Sequence, residues 1–155
     1  MSDARWLEVE DDLQEAEIHF SRSLELFAAG GFEADTLDAY RAQMALMHAM
    51  QSGHTSMESM LVRILGLLNE DAPSGSGWHA DLIARARRDL VTRPAILSSS
   101  VAAAANETRR FRHVAMRNYG KFELSRSQPA LEAARVIAAG LRADIIKFRT
   151  LIDEA

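Results

Sequence analysis

The stretch from Arg109 to Gly120 reads RRFRHVAMRNYG and places four arginines, one histidine and one tyrosine within twelve residues. One guanidinium group can bind two oxygens of a phosphate at once, and it stays protonated at neutral pH. An imidazole, in contrast, can both accept and release a proton near neutral pH. This composition indicates a site for a phosphate-bearing ligand. The candidate phosphate-binding residues are Arg109, Arg110, Arg112, Arg117 and Lys121.

Charge is distributed unevenly along the chain, although the net charge is only −4. Residues 1–40 hold eleven carboxylates against two arginines, and residues 85–126 hold ten basic residues against three acidic ones. A basic segment in an acidic chain suits a phosphate-bearing ligand or an acidic partner, because local cation density governs that attraction. The alternative is that the acidic N-terminal part covers the basic segment.

The elements that must position these residues are predicted to be helices, since apolar residues recur every three or four positions and no strand pattern competes. A first helix carries a stripe from Val9 to Phe27 and stops at Gly30-Gly31. A second helix starts near Asp35 or Thr36 and ends before Pro73. Gly53, inside it, is predicted to mark a kink or a close contact.

Three further helices follow. Ser76 is a candidate N-cap for a short third helix, and Pro94 is a good first-turn residue for a fourth that Gly120 would end. The fifth begins near Pro129 and has a regular apolar stripe to Ile152. The arginine-rich segment therefore lies on the last turns of the fourth helix, and the predicted fold is all-α, an up-and-down bundle of four to five helices.

Length and composition limit the other possibilities. With 155 residues of which 48% are hydrophobic, the chain suits a single domain spanning residues 1–155. No apolar run is long enough for a bilayer and the acidic N-terminus is unlike a secretion signal, so we expect a cytoplasmic protein without membrane association. Zero cysteines exclude disulfides, and His48 and His54 are six residues apart on different helix sides. We therefore expect no metal and no cofactor.

The segment from Arg112 resembles the Arg-x4-His-x-Tyr motif of HepT-like toxins in the HEPN superfamily. Arg112 and Tyr119 stand at the motif's first and last positions, and Arg117 replaces its histidine. The resemblance extends over roughly residues 40–153, because further features occur in the family's order: Pro73-Ser74-Gly75, Trp78-His79, Leu82, Arg93-Pro94, Phe111-Arg112-His113 and Tyr119-Gly120.

The resemblance implies the toxin component of a toxin-antitoxin pair. Its site would be a metal-independent endoribonuclease centre at a homodimer interface, where Arg112 and Arg117 of both protomers line one cleft. The partner would be a nucleotidyltransferase-type antitoxin that attaches AMP to Tyr119. Because arginine keeps its proton, Arg117 is a poor general base, and we expect a site that binds RNA but cleaves it weakly.

Several alternatives stay open at this point. His113 either assists catalysis, as a substitute base, or lies on the helix surface. Tyr119 either accepts AMP or packs its ring across the helix end, and Trp78-His79 is expected to anchor the third helix. Arg117 is either the natural residue or a replacement of a natural histidine, which codon 117 of the natural gene would decide. The alternative functions are a non-catalytic binding module for a nucleotidyltransferase partner, a nucleotide or RNA, and a purely structural bundle.

Overall fold

The computed structural model describes residues 4–117 and 123–155, and of residues 114–117 it describes the backbone alone. Five helices make up most of these ranges: α1 (Ala4–Ala29), α2 (Leu37–Leu67), α3 (Trp78–Arg87), α4 (Ser99–Arg117) and α5 (Leu124–Glu154). No strand occurs within them, so the predicted all-α helical bundle is confirmed. In the same ranges no helix has both the length and the apolar character needed to cross a bilayer.

The helices bury one continuous core. α1 packs along α2, α5 lies against α1 and α4, and α3 contacts α2 and α4. Phe20 of α1 and Gly53 of α2 mark the tightest approach, because a Cβ added at Gly53 would lie 3.0 Å from the Phe20 ring. Of the two roles predicted for Gly53, the close contact is therefore the one the packing supports.

The acidic side chains of α1 are matched by arginines outside the basic segment. Glu8 and Asp12 bind Arg63 of α2, at 2.7 and 2.8 Å. Glu17 binds Arg142 of α5, with a distance of 3.0 Å from its Oε1 to Nε. These pairs hold α1 to its neighbours, and they argue against the alternative that the acidic N-terminal part covers the basic segment.

The helix ends confirm some sequence predictions. α1 ends at Ala29, where Gly30 and Gly31 adopt φ values of 68° and 86°. Such positive values favour glycine, which has no Cβ to clash with the backbone. α2 begins after Thr36, whose hydroxyl accepts a hydrogen bond from the Ala39 amide at 3.1 Å.

Three predicted helix starts are wrong, those of α3, α4 and α5. Ser76 does not cap α3, because Gly77 is the N-cap residue and no side chain bonds to that end. Pro94 does not begin α4, because the chain after it stays non-helical and the amides of Ile96 and Leu97 bond to the carbonyl of Ala86. These bonds tie the segment to α3 while its apolar side chains enter the core.

α4 begins at Ser99 instead, and the side chain of Ser98 caps its first turn. The Ser98 hydroxyl accepts a 3.3 Å hydrogen bond from the Val101 amide, and it donates to Asp144 of α5 at 2.8 Å.

The predicted start of α5 near Pro129 is also wrong, since the helix begins at Leu124 and Pro129 lies inside it. Gly120, the predicted terminator of α4, lies outside the described residues.

A short turn precedes α4 and is held in place by hydrogen bonds from the buried side chain of Arg93. Leu90 and Arg93 form an isolated antiparallel bridge, with Val91 fully exposed at its tip. The buried Arg93 guanidinium donates from Nε and Nη2 to the carboxylate of Glu70, at 2.5 and 3.1 Å. It also donates to the carbonyl of Arg88, so one side chain joins this turn to the end of α3 and to Glu70 beyond α2.

Candidate functional site

Glu58 is the buried centre of the site. It lies on the core-facing side of α2 beside Met57 and Leu61, and its side chain is only 4% exposed. Its Oε1 accepts a hydrogen bond from Nη1 of Arg112 at 2.8 Å. Its Oε2 accepts one from Nδ1 of His79 at 2.6 Å. One carboxylate therefore joins α2 to both α3 and α4.

The charge of Glu58 follows from these neighbours. Burial by itself would raise the pKa of Glu58. Electrostatic attraction from His54, together with the hydrogen bond and the attraction from His79, outweighs burial, so the pKa of Glu58 lies below its ordinary value. Glu58 is therefore ionised at neutral pH and accepts hydrogen bonds without donating any.

His79 is the second residue of α3 and lies between the Glu58 carboxylate and solvent. Its side chain is 35% exposed, and its ring stacks on Trp78 with 3.7 Å between the centroids and 30° between the planes. Since Glu58 only accepts, the proton on His79 must sit on Nδ1. Nε2 has no hydrogen-bond partner in the part of the chain that the structure describes.

His54 extends the network into the core. It is fully buried one turn before Glu58, with its Nδ1 2.8 Å from the hydroxyl of Thr108 on α4. That hydroxyl lies 3.1 Å from the Ala105 carbonyl, to which it donates. The Nε2 of His54 is 3.4 Å from Glu58 Oε2 and has no closer partner within the described ranges. The exposed His48 points elsewhere, as its spacing from His54 predicts.

A cleft of about 570 Å³ lies between α3 and α4. The sequence-predicted residues Arg109, Arg110, Arg112 and His113 all line it. So do His54, His79, Ser76, Gly77 and Ala80. The structure thus gathers three of the predicted phosphate-binding arginines and two exposed or partly exposed imidazoles around one cavity.

The arginines of this cleft differ in how firmly they are held. Arg110 is exposed and pairs with Glu107 one turn earlier, at 2.6 Å. Arg109 is partly buried and donates from Nε to the Asn106 side chain at 3.2 Å. Arg112, 25% exposed, is bound from a different helix. An ion pair within one exposed helix turn is weak, so Arg110 can leave Glu107 for a ligand at little cost.

Arg112 occupies the meeting point of three cavities. Besides the main cleft it lines a second of about 420 Å³ with Glu58 and His79, and a third of about 460 Å³ with His48. Only its Nη1 is engaged, by Glu58, among the residues whose placement is described. The remaining N–H groups are available to a phosphate, which guanidinium binds in bidentate fashion.

Three predicted site residues fall outside this geometry. The side chain of Arg117, and Tyr119 and Lys121 altogether, lie outside the described residues. Their roles remain predictions. Within residues 4–117 and 123–155, no group of three or more His, Asp or Glu side chains is arranged to hold a metal ion.

Sequence reasoning missed the part of the site that supports Arg112. The sequence pattern does not indicate Glu58, it offers His54 only as half of a metal pair that the spacing excludes, and it predicts His79 only as an anchor of the third helix. A signal was present. His54 and Glu58 are one turn apart, on the same stripe as Met50, Met57 and Leu61, so two ionisable groups face the core. Ionisable groups in that position need partners.

A family model described as HepT-like protein matches residues 45–152. The matched range starts within α2 and continues into α5, so it includes Glu58, His79 and Arg112. No curated protein and no solved structure was found to match the chain.

Proposed function

The chain belongs to the HepT-like family of the HEPN superfamily, and from this premise we propose that it is the toxin component of a toxin-antitoxin pair in the cytoplasm. Its ligand is RNA, bound through phosphates in the cleft beside α4. Its site belongs to a metal-independent endoribonuclease whose cleavage is impaired by Arg117 in place of histidine.

The observation that carries this proposal is the arrangement of Arg109, Arg110 and Arg112 around one cleft, above a single buried carboxylate. Glu58 pairs with Arg112 and the exposed Glu107 pairs with Arg110, but the three arginines still outnumber these two carboxylates, so the cavity keeps an excess of positive charge. Fixed cations around a concave surface attract a polyanion and bind its phosphates. The same segment carries the family's motif arginine at position 112.

The second half of the site comes from another copy of the chain. In the proposed homodimer, Arg112 and Arg117 of both protomers face one shared groove, and Tyr119 lies beside it. A nucleotidyltransferase-type antitoxin attaches AMP to Tyr119, and the added phosphate and base then obstruct the groove. His113, exposed on the main cleft, assists in orienting RNA or in moving a proton.

Arg117 limits the chemistry that this site performs. Cleavage through the ribose 2′-hydroxyl needs a base for that proton, an acid for the departing 5′-oxygen and cations for the charge on phosphorus. Arginines supply the cations. A guanidinium does not supply the base at neutral pH, and losing general acid-base help slows such a reaction by about 10²- to 10⁴-fold.

A comparison of Arg117→His with the unmodified chain tests the proposal. Purified proteins are incubated with tRNA or mRNA in EDTA, and we expect metal-independent cleavage to be much faster with histidine. Arg135→His, an exposed arginine of α5, is the matched control and should leave the rate unchanged. RNA binding without faster cleavage by Arg117→His would favour the non-catalytic binding module instead. Absence of RNA binding would refute the proposed function and leave a module that binds a nucleotidyltransferase partner or a nucleotide.

A further inference from the structure

His79 and Glu58 form a carboxylate–imidazole pair that the family motif does not include. The 2.6 Å bond from Nδ1 of His79 to Glu58 is one of the shorter side-chain contacts of the site. The ring is held on its other side by Trp78. An imidazole fixed in this way keeps one orientation and one tautomer, which is what proton transfer to a bound ligand requires.

The free nitrogen of His79 is the basic one. The ionised Glu58 accepts a hydrogen bond from the Nδ1–H group of His79, which leaves the lone pair of the neutral ring on Nε2. No hydrogen bond occupies Nε2 within the described part of the chain, and the ring lines both the 570 Å³ and the 420 Å³ cavities. His113 also lines the main cleft, but no carboxylate among the described residues orients it.

His79 is also placed beside the motif arginine. Arg112 and His79 bind the two oxygens of one carboxylate, and both line the same two cavities. A phosphate held by the remaining N–H groups of Arg112 therefore lies next to His79. This juxtaposition of a phosphate-binding cation and an oriented base comes from α4 and α3 of one protomer, without any contribution from residue 117.

We infer that His79, oriented by Glu58, is a catalytic base of this cleft and sustains a slow, metal-independent cleavage of RNA in the absence of a motif histidine. The inference rests on the proposed function. Nε2 removes the proton of the ribose 2′-hydroxyl and O2′ forms a bond to phosphorus. The P–O5′ bond breaks, leaving a 2′,3′-cyclic phosphate. O5′ takes a proton from water, and the resulting hydroxide takes the proton from His79.

Single-turnover cleavage of a labelled RNA oligonucleotide in EDTA, with excess protein, tests this role. The unmodified chain should cleave slowly, and His79→Gln should lower that rate by about 10²- to 10⁴-fold. Glutamine can still donate to Glu58, so thermal unfolding and RNA affinity should change little. Arg135→Gln on α5 is the control, since its exposed side chain lies outside all three cavities that Arg112 lines, and its rate should stay unchanged.

Chemical rescue separates catalysis from structural support. His79→Gly leaves a space between Trp78 and Glu58, and added imidazole should restore much of the cleavage rate. The same addition should not rescue the double variant that also carries Glu58→Gln, because Glu58 positions the ring. Restoration in both variants would overturn the assignment of Glu58.

Two results would overturn the role of His79. The first is a cleavage rate of His79→Gln equal to that of the unmodified chain. The second is RNA binding by the unmodified chain without any cleavage in the presence of excess protein. Neither refutes the proposed function, which fails only if RNA does not bind or if Arg117→His does not increase cleavage.

Discussion

The Arg112 guanidinium on α4 meets the Glu58 carboxylate on α2 at 2.8 Å, although 54 residues separate them in the sequence. Glu58 is almost completely buried, whereas Arg112 reaches the surface of three cavities. The pair therefore links the folding of the bundle to the placement of the cation that we propose to bind phosphate. Substituting either residue should affect both the free energy of unfolding and RNA binding. We expect the effect on stability to dominate for Glu58 and the effect on binding to dominate for Arg112.

Glu58→Gln should reduce the free energy of unfolding by about 1–3 kcal/mol, because a neutral amide cannot accept charge-assisted bonds from Arg112 and His79 together. Urea unfolding followed by circular dichroism measures the change. Glu132→Gln is the control, since Glu132 is exposed on α5 and its pair with Arg135 is worth little. Equal stabilities of the two variants would show that the buried network contributes nothing.

The stability difference between the unmodified chain and Glu58→Gln should depend on pH in the acid range. Folding lowers the pKa of Glu58 from its ordinary value of 4.5. A lowered pKa stabilises the folded state fully above that value and loses this contribution as pH falls through the folded-state pKa. The difference should therefore shrink as the pH falls below about 4.5. A difference that grows on acidification would contradict the assignment.

Arg112→Gln should weaken RNA binding more than it weakens folding. Glutamine still offers a donor to Glu58 but has no charge for a phosphate. The slope of log affinity against log salt should become shallower by about 0.7, the amount expected for one lost phosphate contact on a single strand. Fluorescence anisotropy at several salt concentrations measures it. Arg135→Gln, outside the cleft, should leave affinity and slope unchanged, and an unchanged slope for Arg112→Gln would remove Arg112 from the binding site.

Gly53→Ala should destabilise the protein by about 1–3 kcal/mol, because the added Cβ would lie 3.0 Å from the ring of Phe20 and force α1 away from α2. Gly66 offers a matched control on the same helix, where an added Cβ meets nothing within 4 Å. Gly66→Ala should be neutral or stabilise by up to about 1 kcal/mol. Thermal unfolding should show a lower melting temperature for Gly53→Ala and an equal or higher one for Gly66→Ala.

Arg93→Ala should cost about 3 kcal/mol or more, since it removes one partner of an ion pair in which the guanidinium is fully buried. Arg93→Lys should recover only part of this loss, because a lysine cannot make two parallel bonds to Glu70. Denaturant unfolding compares the two. A lysine variant as stable as the unmodified chain would mean that charge alone, without the planar geometry, fixes the connection before α4.

Much of the fold could be predicted from local patterns. The stripe in α1, the stop at Gly30 and the cap at Thr36 depend on residues close in sequence, and each is observed. Pro94 and Ser76 misled because each suits a helix start locally. Neither residue reveals that the amides of Ile96 and Leu97 donate hydrogen bonds to the Ala86 carbonyl, which keeps this segment non-helical and delays the start of α4. Tertiary contacts outweighed local propensity there.

The site was predictable in its basic half and not in its acidic half. Arg109, Arg110, Arg112 and His113 lie within five consecutive positions, so one helix end brings them to one cleft. Glu58 and His79 reach that cleft from α2 and α3, and nothing in the spacing of 21 residues between them indicates a 2.6 Å contact. Only packing of three helices places the carboxylate under Arg112.

The turn at Leu90–Arg93 gives this protein a convenient point for chemical labelling. Val91 is fully exposed there, while the backbone on either side is pinned by the bridge and by the buried guanidinium of Arg93. The chain has no cysteine, so Val91→Cys would introduce one unique thiol. A fluorophore on that thiol would be attached to a turn that hydrogen bonds hold in place. Energy transfer between copies that carry different fluorophores would report whether two chains associate.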